Sequence, residues 1–315
     1  MNTTVNEPII VVDALRKTYG ATTAVDGVSF SVQAGEVFGL LGSNGAGKTT
    51  TVECLEGLRR PDEGKVRVLG VDPLTHPERL RGRVGCQLQE SHLPDRMRVW
   101  EALDLFAAAA PRHVDWTQAL EAWGLAGKRD AAFASLSGGQ RQRLLVALAL
   151  VTDPDVVFLD EMTTGLDPAA RHTTWELVEA IRARGTTVVL VTHFMDEAER
   201  LCDRIAVMDA GRIVSMDTPA ALIEAEAGAM CVKFTVQEGA AVDGGPQDAF
   251  EWLGDVPHAR SVQRRGRTVE VTGDGPVLAH VAAALLARGL EPPDLRIERP
   301  TLEDTFLKLT GHGLE

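Results

Sequence analysis

The stretch GSNGAGKTT, from Gly42 to Thr50, decides the fold of this chain. Up to Thr49 it matches the pattern G-x-x-x-x-G-K-[ST] without a gap, and it joins the apolar run EVFGLL to a period of helical character. A buried strand that leads through a glycine-rich turn into a helix points backbone N–H groups at a phosphate. An ordinary glycine-rich turn is the alternative, but the preceding strand and the lysine within the loop favour a phosphate site.

The residues of this loop are predicted to contact different parts of ATP and its metal ion. The glycines let the backbone curl around the β-phosphate. Lys48 reaches the β- and γ-phosphates as a catalytic residue, and the Thr49 hydroxyl is a ligand for Mg²⁺. The predicted nucleotide-binding residues of the loop are Ser43, Asn44, Gly45, Ala46, Gly47, Lys48, Thr49 and Thr50.

Two acidic residues end the apolar run VVFLDE. A buried parallel strand delivers such carboxylates to the carboxyl edge of the sheet, where ligands bind. We expect Asp160 to hold Mg²⁺ through water, and Glu161 to face the attacking water as the general base. Strands also end in acids that are merely solvated, and it is the phosphate loop upstream that favours the catalytic interpretation.

Two further residues suit this chemistry. His193 follows the β-branched run TTVVLVT, where it could contact a γ-phosphate oxygen and the water, although a lone histidine there is more often structural. Tyr19 is the only tyrosine in the chain. Its ring could stack on adenine or pack on the core, and the sequence leaves both open.

A second glycine-rich helix start, SLSGGQ, precedes another apolar helix. Helix N-termini attract anions, yet one chain that binds one ATP needs only one such site, and the helical sequence between the two would hold them apart. We therefore predict a two-fold dimer in which this helix start of one copy covers the γ-phosphate on Lys48 of the other. The residues predicted to do so are Ser137, Gly138, Gly139 and Gln140. Hydrolysis would loosen this dimer, so ATP would act as a switch.

Composition limits the class of protein further. The net charge of −13 and the pI near 5.1 argue against nucleic acid as a partner. The longest apolar run, 144–151, is far shorter than the roughly 20 residues of a membrane span, and the N-terminus does not resemble a secretion signal. Four cysteines without CxxC spacing indicate reduced thiols in a cytosolic protein, with a metal site as the alternative.

The order of elements predicts two domains. In residues 1–228, short β-rich runs alternate with helical periods, which is typical of an α/β fold with a mainly parallel sheet, an antiparallel β part and covering helices. Residues of about 90–135 are expected to form a helical subdomain. Residues 229–315 follow a β-α-β-β-α-β order, typical of a small α+β domain of the ferredoxin-like kind, and end in a last helix.

Together these motifs resemble the ATP-binding-cassette (ABC) superfamily of P-loop NTPases. LSGGQ is similar to its signature, GSNGAGKTT to its Walker A motif and VVFLDE to its Walker B motif, in family order over about residues 9–224. The resemblance implies that Gln89 is the Q-loop glutamine, which binds nucleotide and metal, and that Asp167 lies in the D-loop at the nucleotide. His193 resembles the switch histidine and Tyr19 the adenine-stacking A-loop aromatic.

The resemblance also implies a membrane partner. The region around Gln89 would dock a separate permease, and the final RPTLEDTFLKLTG is similar to the C-terminal extension of type 2 exporter ATPases, including the daunorubicin kind. The expected function is an ATPase, peripheral on the cytoplasmic face of the cell membrane, that powers export of drugs, antibiotics or lipids. The extension is interpreted as a dimer brace rather than a regulatory pocket. Met162 stands where the family usually has proline, which puts the local backbone rigidity in question.

Other functions stay open at this point. ABC ATPases that act on ribosomes or DNA generally carry two cassettes or a long coiled coil, and the sequence has neither. An ATPase that acts on a cytosolic assembly complex remains the alternative. The sequence also leaves open the cargo, and whether the dimer joins two identical chains or two different cassettes.

Overall fold

A computed structural model describes residues 7–87, 92–110, 113–226, 230–236, 250–298 and 300–311. The chain divides into two compact units, Met1–Ala220 with Leu309–Glu315, and Ala221–Lys308. The domain boundary expected after residue 228 lies close to this division and stays a prediction.

The first unit holds two sheets. Its strands are β1 Ile10–Tyr19, β2 Thr22–Val32, β3 Val37–Gly42, β4 Glu63–Val68, β5 Val84–Gln87, β6 Val156–Asp160, β7 Thr187–Thr192, β8 Arg204–Asp209 and β9 Arg212–Asp217. The helices up to residue 226 are α1 Lys48–Leu55, α2 Val99–Ala107, α3 Thr117–Ala122, α4 Gly138–Leu150, α5 Pro168–Ala183, α6 Met195–Leu201 and α7 Pro219–Glu226.

The larger sheet has the order β5-β6-β7-β3-β8-β9 and is parallel except for β9, which is antiparallel to β8. Strands β3, β6 and β7 are buried along their whole length. Buried, mostly apolar runs of this kind form the interior of parallel sheets. The mainly parallel α/β fold expected from the sequence is confirmed, and β9 is a strand that the sequence analysis did not include.

The smaller sheet, with the order β2-β1-β4, is antiparallel and shares a core with the larger one. Phe30 of β2 and Phe38 of β3 stack with ring centroids 5.0 Å apart and an interplanar angle of 11°. Helices α2 and α3 lie in the stretch expected to form a helical subdomain, and Leu103, Leu120 and Leu125 are buried there.

The second unit contains β10 Met230–Thr235, β11 Ala259–Arg265, β12 Thr268–Gly273, α8 Val277–Leu286 and β13 Arg296–Glu298, followed by α9 Leu302–Thr310. The sheet order β11-β12-β10-β13 is antiparallel throughout, in agreement with the expected ferredoxin-like order. The first helix of that pattern is partly outside the described residues. Its described part is the 3₁₀ helix Glu251–Asp255, and Pro257 follows two positions later, where a helix would lose a backbone hydrogen bond.

Candidate nucleotide-binding site

The carboxyl edge of the parallel sheet gathers the predicted catalytic residues. Strand β7 lies between β3 and β6, with Leu41 opposite Thr192 and Asp160 opposite Val191. The loop after β3, the acids at the end of β6 and His193 after β7 therefore meet at one edge. Ligands of open parallel sheets bind outside this edge.

Two glycines fix the loop before α1 because a side chain has no room at either position. At Gly47, φ is 97°, and an added Cβ would lie 2.2 Å from the carbonyl oxygen of Ala24 in β2. At Gly42, an added Cβ would lie 2.5 Å from the carbonyl oxygen of Met208 in β8. The loop therefore packs closely on both neighbouring strands, and its backbone curls in front of the N-terminus of α1.

The side chains of the loop differ in exposure. Ala46 is buried, while the half-buried or exposed members of the predicted set are Ser43, Asn44, Gly45, Gly47, Thr49 and Thr50. Lys48 is only 5% exposed, and its ammonium donates hydrogen bonds to the carbonyl oxygens of Gly42 at 2.8 Å and Ser43 at 3.0 Å. Burial lowers the pKa of Lys48, and the nearby charges of Glu161 and Asp160 oppose this shift.

Asp160 has the features expected of a residue that holds a cation. It is 4% exposed, and burial raises the pKa of its carboxyl to about 6, with the Glu161 charge adding to the shift and Lys48 opposing it. Its Oδ2 accepts a hydrogen bond from the Thr49 hydroxyl at 3.4 Å, whereas its buried Oδ1 has no hydrogen-bond partner among the described residues. Mg²⁺ prefers hard oxygen ligands and water, so these residues fit it.

Glu161 and His193 form a pair beside this carboxylate. The Oε1 atom of Glu161 lies 3.3 Å from Nδ1 of His193, and the side chains are 11% and 28% exposed. The backbone N–H of Glu161 donates to the carbonyl of Val191 at 2.9 Å. Both residues directly follow strands of the sheet and their side chains are reachable from solvent, as a base and its orienting partner must be.

The sequence analysis missed two buried residues at this edge. Gln87, at the end of β5, donates from Nε2 to the backbone carbonyl of Asp160 at 3.3 Å. Glu197, on α6, accepts a hydrogen bond from Thr163, which follows the predicted base closely. The sequence did contain a signal for Gln87, because a glutamine at the end of an apolar strand is a polar side chain where burial is expected. Gln89, the predicted Q-loop residue, lies outside the described residues.

The second predicted phosphate-binding segment is the N-terminus of α4. Ser137 caps this helix, since its Oγ accepts from the Gln140 backbone N–H at 3.4 Å and Gln140 Oε1 accepts from the Ser137 N–H at 3.1 Å. No described residue accepts a hydrogen bond from the N–H groups of Gly138 and Gly139. The hydrogen bonds of Ser137 and Gln140 thus stay within their own turn, which faces outward.

The two remaining predicted residues are exposed. Asp167 caps α5, and its Oδ1 accepts from the Ala170 N–H at 2.9 Å. Tyr19 ends β1 with 41% exposure, so its ring is not part of the core. The Lys17 ammonium lies 5.7 Å and the Arg59 guanidinium 5.4 Å from the centroid of this ring.

Comparisons with known proteins agree with this geometry. Residues 25–164 match the model of a family described as "ABC transporter". The Nod factor export ATP-binding protein I of Ralstonia nicotianae is 42% identical over 98% of this chain and 95% of its own length. The protein of that name from Rhizobium meliloti is 37% identical over 98% of this chain and 90% of its own. A solved structure of an ATP binding subunit of an ABC transporter is 28% identical, with a TM-score of 0.64 over 69% of this chain and 92% of that one. Among the described residues, no helix is long and apolar enough to span a membrane.

Proposed function

The chain belongs to the ABC transporter family, as an ATP-hydrolysing subunit of an exporter, and from this premise we propose which residues act and on what partners. The observation that carries the proposal is the meeting of Lys48, Asp160 and the Glu161–His193 pair at one sheet edge. These are the groups that phosphoryl transfer needs for positioning, charge and proton removal.

In the proposed reaction, a water molecule attacks the γ-phosphorus of ATP while the bond to the bridging oxygen of ADP breaks. Glu161 takes the proton of the water, and His193 holds the water and a γ-phosphate oxygen in line. The loop from Ser43 to Thr50 and the ammonium of Lys48 bind the phosphates. Mg²⁺, when bound, would offset the phosphate charge, held by Thr49, Asp160 and Gln89.

We further propose that two chains close around two ATP molecules. The outward-facing start of α4, with Ser137, Gly138, Gly139 and Gln140, would cover the γ-phosphate on Lys48 of the other copy. Asp167 would lie near that junction, and Tyr19 would stack on the adenine. A homodimer is the simplest form, since the chain has every part that the site needs. A dimer of two different cassettes is the alternative.

The partner is proposed to be a separate membrane permease that docks near Gln89 and places this chain on the cytoplasmic face of the membrane. The named relatives export Nod factor, and we extend only their direction of transport to this chain. Drugs, antibiotics and lipids remain the proposed classes of cargo. The net charge of −13 supports a role without nucleic acid.

The test is ATP hydrolysis by the purified full chain and by Glu161→Gln. A general base contributes roughly 10²–10⁴-fold, so the rate should fall by at least about a hundredfold while ATP still binds. Glu176→Gln, an exposed position on α5, is the matched control and should keep the parental rate. If Glu161→Gln hydrolyses ATP as fast as the parent, Glu161 is not the base.

A further inference from the structure

Glu197 is a fully buried carboxyl on α6 that none of the roles above uses. Its Oε1 accepts hydrogen bonds from the Thr163 hydroxyl at 2.9 Å and from the Trp175 indole N–H at 3.0 Å. Burial raises the pKa of Glu197, and hydrogen bonds from Thr192, Trp175 and Thr163 oppose this shift. A buried carboxyl is costly unless its donors stay in place, so Glu197 ties together the segments that supply them.

One of these segments contains the proposed base. Thr163 follows Glu161 by two positions and is fully buried, as is Met162 between them. Glu161 has a φ of 49°, a left-handed conformation that is strained for a non-glycine residue and persists only where the surroundings enforce it. Met162 does not fix its own φ as a proline would. The hydrogen bond from Thr163 to Glu197 therefore fixes this backbone from the side.

The helix that carries Glu197 begins just after the histidine. Glu197 and His193 are four residues apart, and α6 begins between them at Met195. Beside this junction, the Arg171 guanidinium of α5 lies 4.2 Å from the centroid of the Phe194 ring. The Phe194 ring in turn lies 4.1 Å from the centroid of the His193 ring. The start of α6 is thus held against α5 close to the histidine.

We propose that Glu197 is a positioning residue for ATP hydrolysis. Through Thr163 it holds the backbone that carries Glu161, and through α6 it holds His193, so the two side chains keep their 3.3 Å separation. This inference rests on the proposal that Glu161 is the general base. Loss of the Thr163 bond should lower kcat and leave ATP binding unchanged, because neither Thr163 nor Glu197 belongs to the set that binds the phosphates.

The test compares two donors to the same Oε1 atom in the full chain. Thr163→Val removes the donor on the segment of the base, and kcat should fall about tenfold with KM unchanged, as for an interaction realised in the transition state. Thr163→Ser keeps the hydroxyl and should keep kcat. Trp175→Phe removes the donor on α5, so it should lower Tm while kcat stays near the parental value.

A second pair of variants tests Glu197 itself. Glu197→Gln keeps an oxygen acceptor and should retain most of the parental kcat, whereas Glu197→Met lacks it and should lose about as much as Thr163→Val. A parental kcat in Thr163→Val, or an equal loss of kcat in Trp175→Phe, would overturn the inference. Glu161→Gln in the same assay separates the two proposals: if it is inactive while Thr163→Val is normal, only the positioning role fails.

Discussion

At the scale of single residues, the site is defined by charges that are held away from water. Lys48 and Asp160 are both buried. Burial lowers the pKa of Lys48 and raises that of Asp160, so it favours the neutral form of each side chain. A bound phosphate beside Lys48 and a cation beside Asp160 would each favour the charged form. The site is therefore matched to a ligand that brings both charges, as a nucleotide with Mg²⁺ does.

Glu56, at the C-terminal end of α1, provides a test of the same physics through stability. Burial, together with the charges of Asp160 and Glu53, raises the pKa of Glu56 to about 7, although the Cys86 thiol donates to it. The folded state then keeps a proton that the unfolded state loses above about pH 4.5, so stability should fall as pH rises from about 4.5 to 7. Glu56→Gln should remove this loss and gain on the order of 2 kcal/mol at pH 8.

The measurement is Tm of the parent and of Glu56→Gln at pH 5 and pH 8. The advantage of the variant should be small at pH 5 and grow toward pH 8. Glu176→Gln, which changes the same groups at an exposed position, should show no such growth. An advantage that is equal at both pH values would show that Glu56 is already ionised in the folded chain.

Sequence could indicate Lys48 and Asp160 because their chemistry is tied to a local pattern. A glycine-rich turn needs the lysine at a fixed offset, and an apolar run that ends in acids places them at a sheet edge. Glu197 has no such signal, since an acid in the first turn of a helix is ordinary. Its burial depends on how α5 and Thr163 pack against α6, which only the folded chain shows.

At the scale of elements, the start of α4 is proposed to contact the ATP that is bound to the other copy of the chain. Ser137→Arg places a long cation where the copies are proposed to meet, and it also removes the cap of the helix. We expect ATP to convert Glu161→Gln from monomer to dimer, and Glu161→Gln/Ser137→Arg to stay monomeric at saturating ATP. Light scattering with and without ATP measures the mass directly.

The control for this experiment is Ser29→Arg in the Glu161→Gln background, since Ser29 is an exposed serine on β2 whose Oγ also accepts a backbone N–H, that of Ala14. It should dimerise like its parent. Thermal melts check that loss of the cap alone has not unfolded the Ser137→Arg chain. A Ser137→Arg variant that dimerises normally would contradict the proposed interface, and a Glu161→Gln chain that stays monomeric would contradict the dimer itself.

Elements with a clear hydrophobic pattern could be predicted from the sequence. Elements that form only because they pair with a neighbouring strand could not. Strands β6 and β7 are short apolar runs that contain several β-branched residues, a pattern typical of a buried strand. Strand β9 forms at the sheet edge with half its residues exposed, and its place follows from a tight hairpin at Gly211 that pairs it with β8. The 3₁₀ helix Glu251–Asp255 shows the converse, because Gly254 disfavours the regular α-helix that the apolar period predicts.

At the scale of the whole molecule, the proposed function requires a second protein, the permease. The described helices of this chain include none that could span a membrane, and the relatives that match nearly its full length are ATP-binding proteins of exporters. In the proposed arrangement, the work of ATP-driven closure passes to a separate permease. We therefore expect each copy of the proposed dimer to hold a permease subunit that moves when the dimer closes.

Purification of the tagged full chain from native membranes in mild detergent tests this arrangement. We expect a multi-span membrane protein in stoichiometric amount, identified by mass spectrometry. The Ser137→Arg variant should retain it too, since the start of α4 is proposed to contact the other copy of the chain and not the permease. Recovery of a soluble complex in that amount would instead favour the assembly ATPase. Loss of the membrane protein from Ser137→Arg would mean that docking requires the closed dimer. That result would contradict the proposal that the dimer contact and the permease contact use different surfaces.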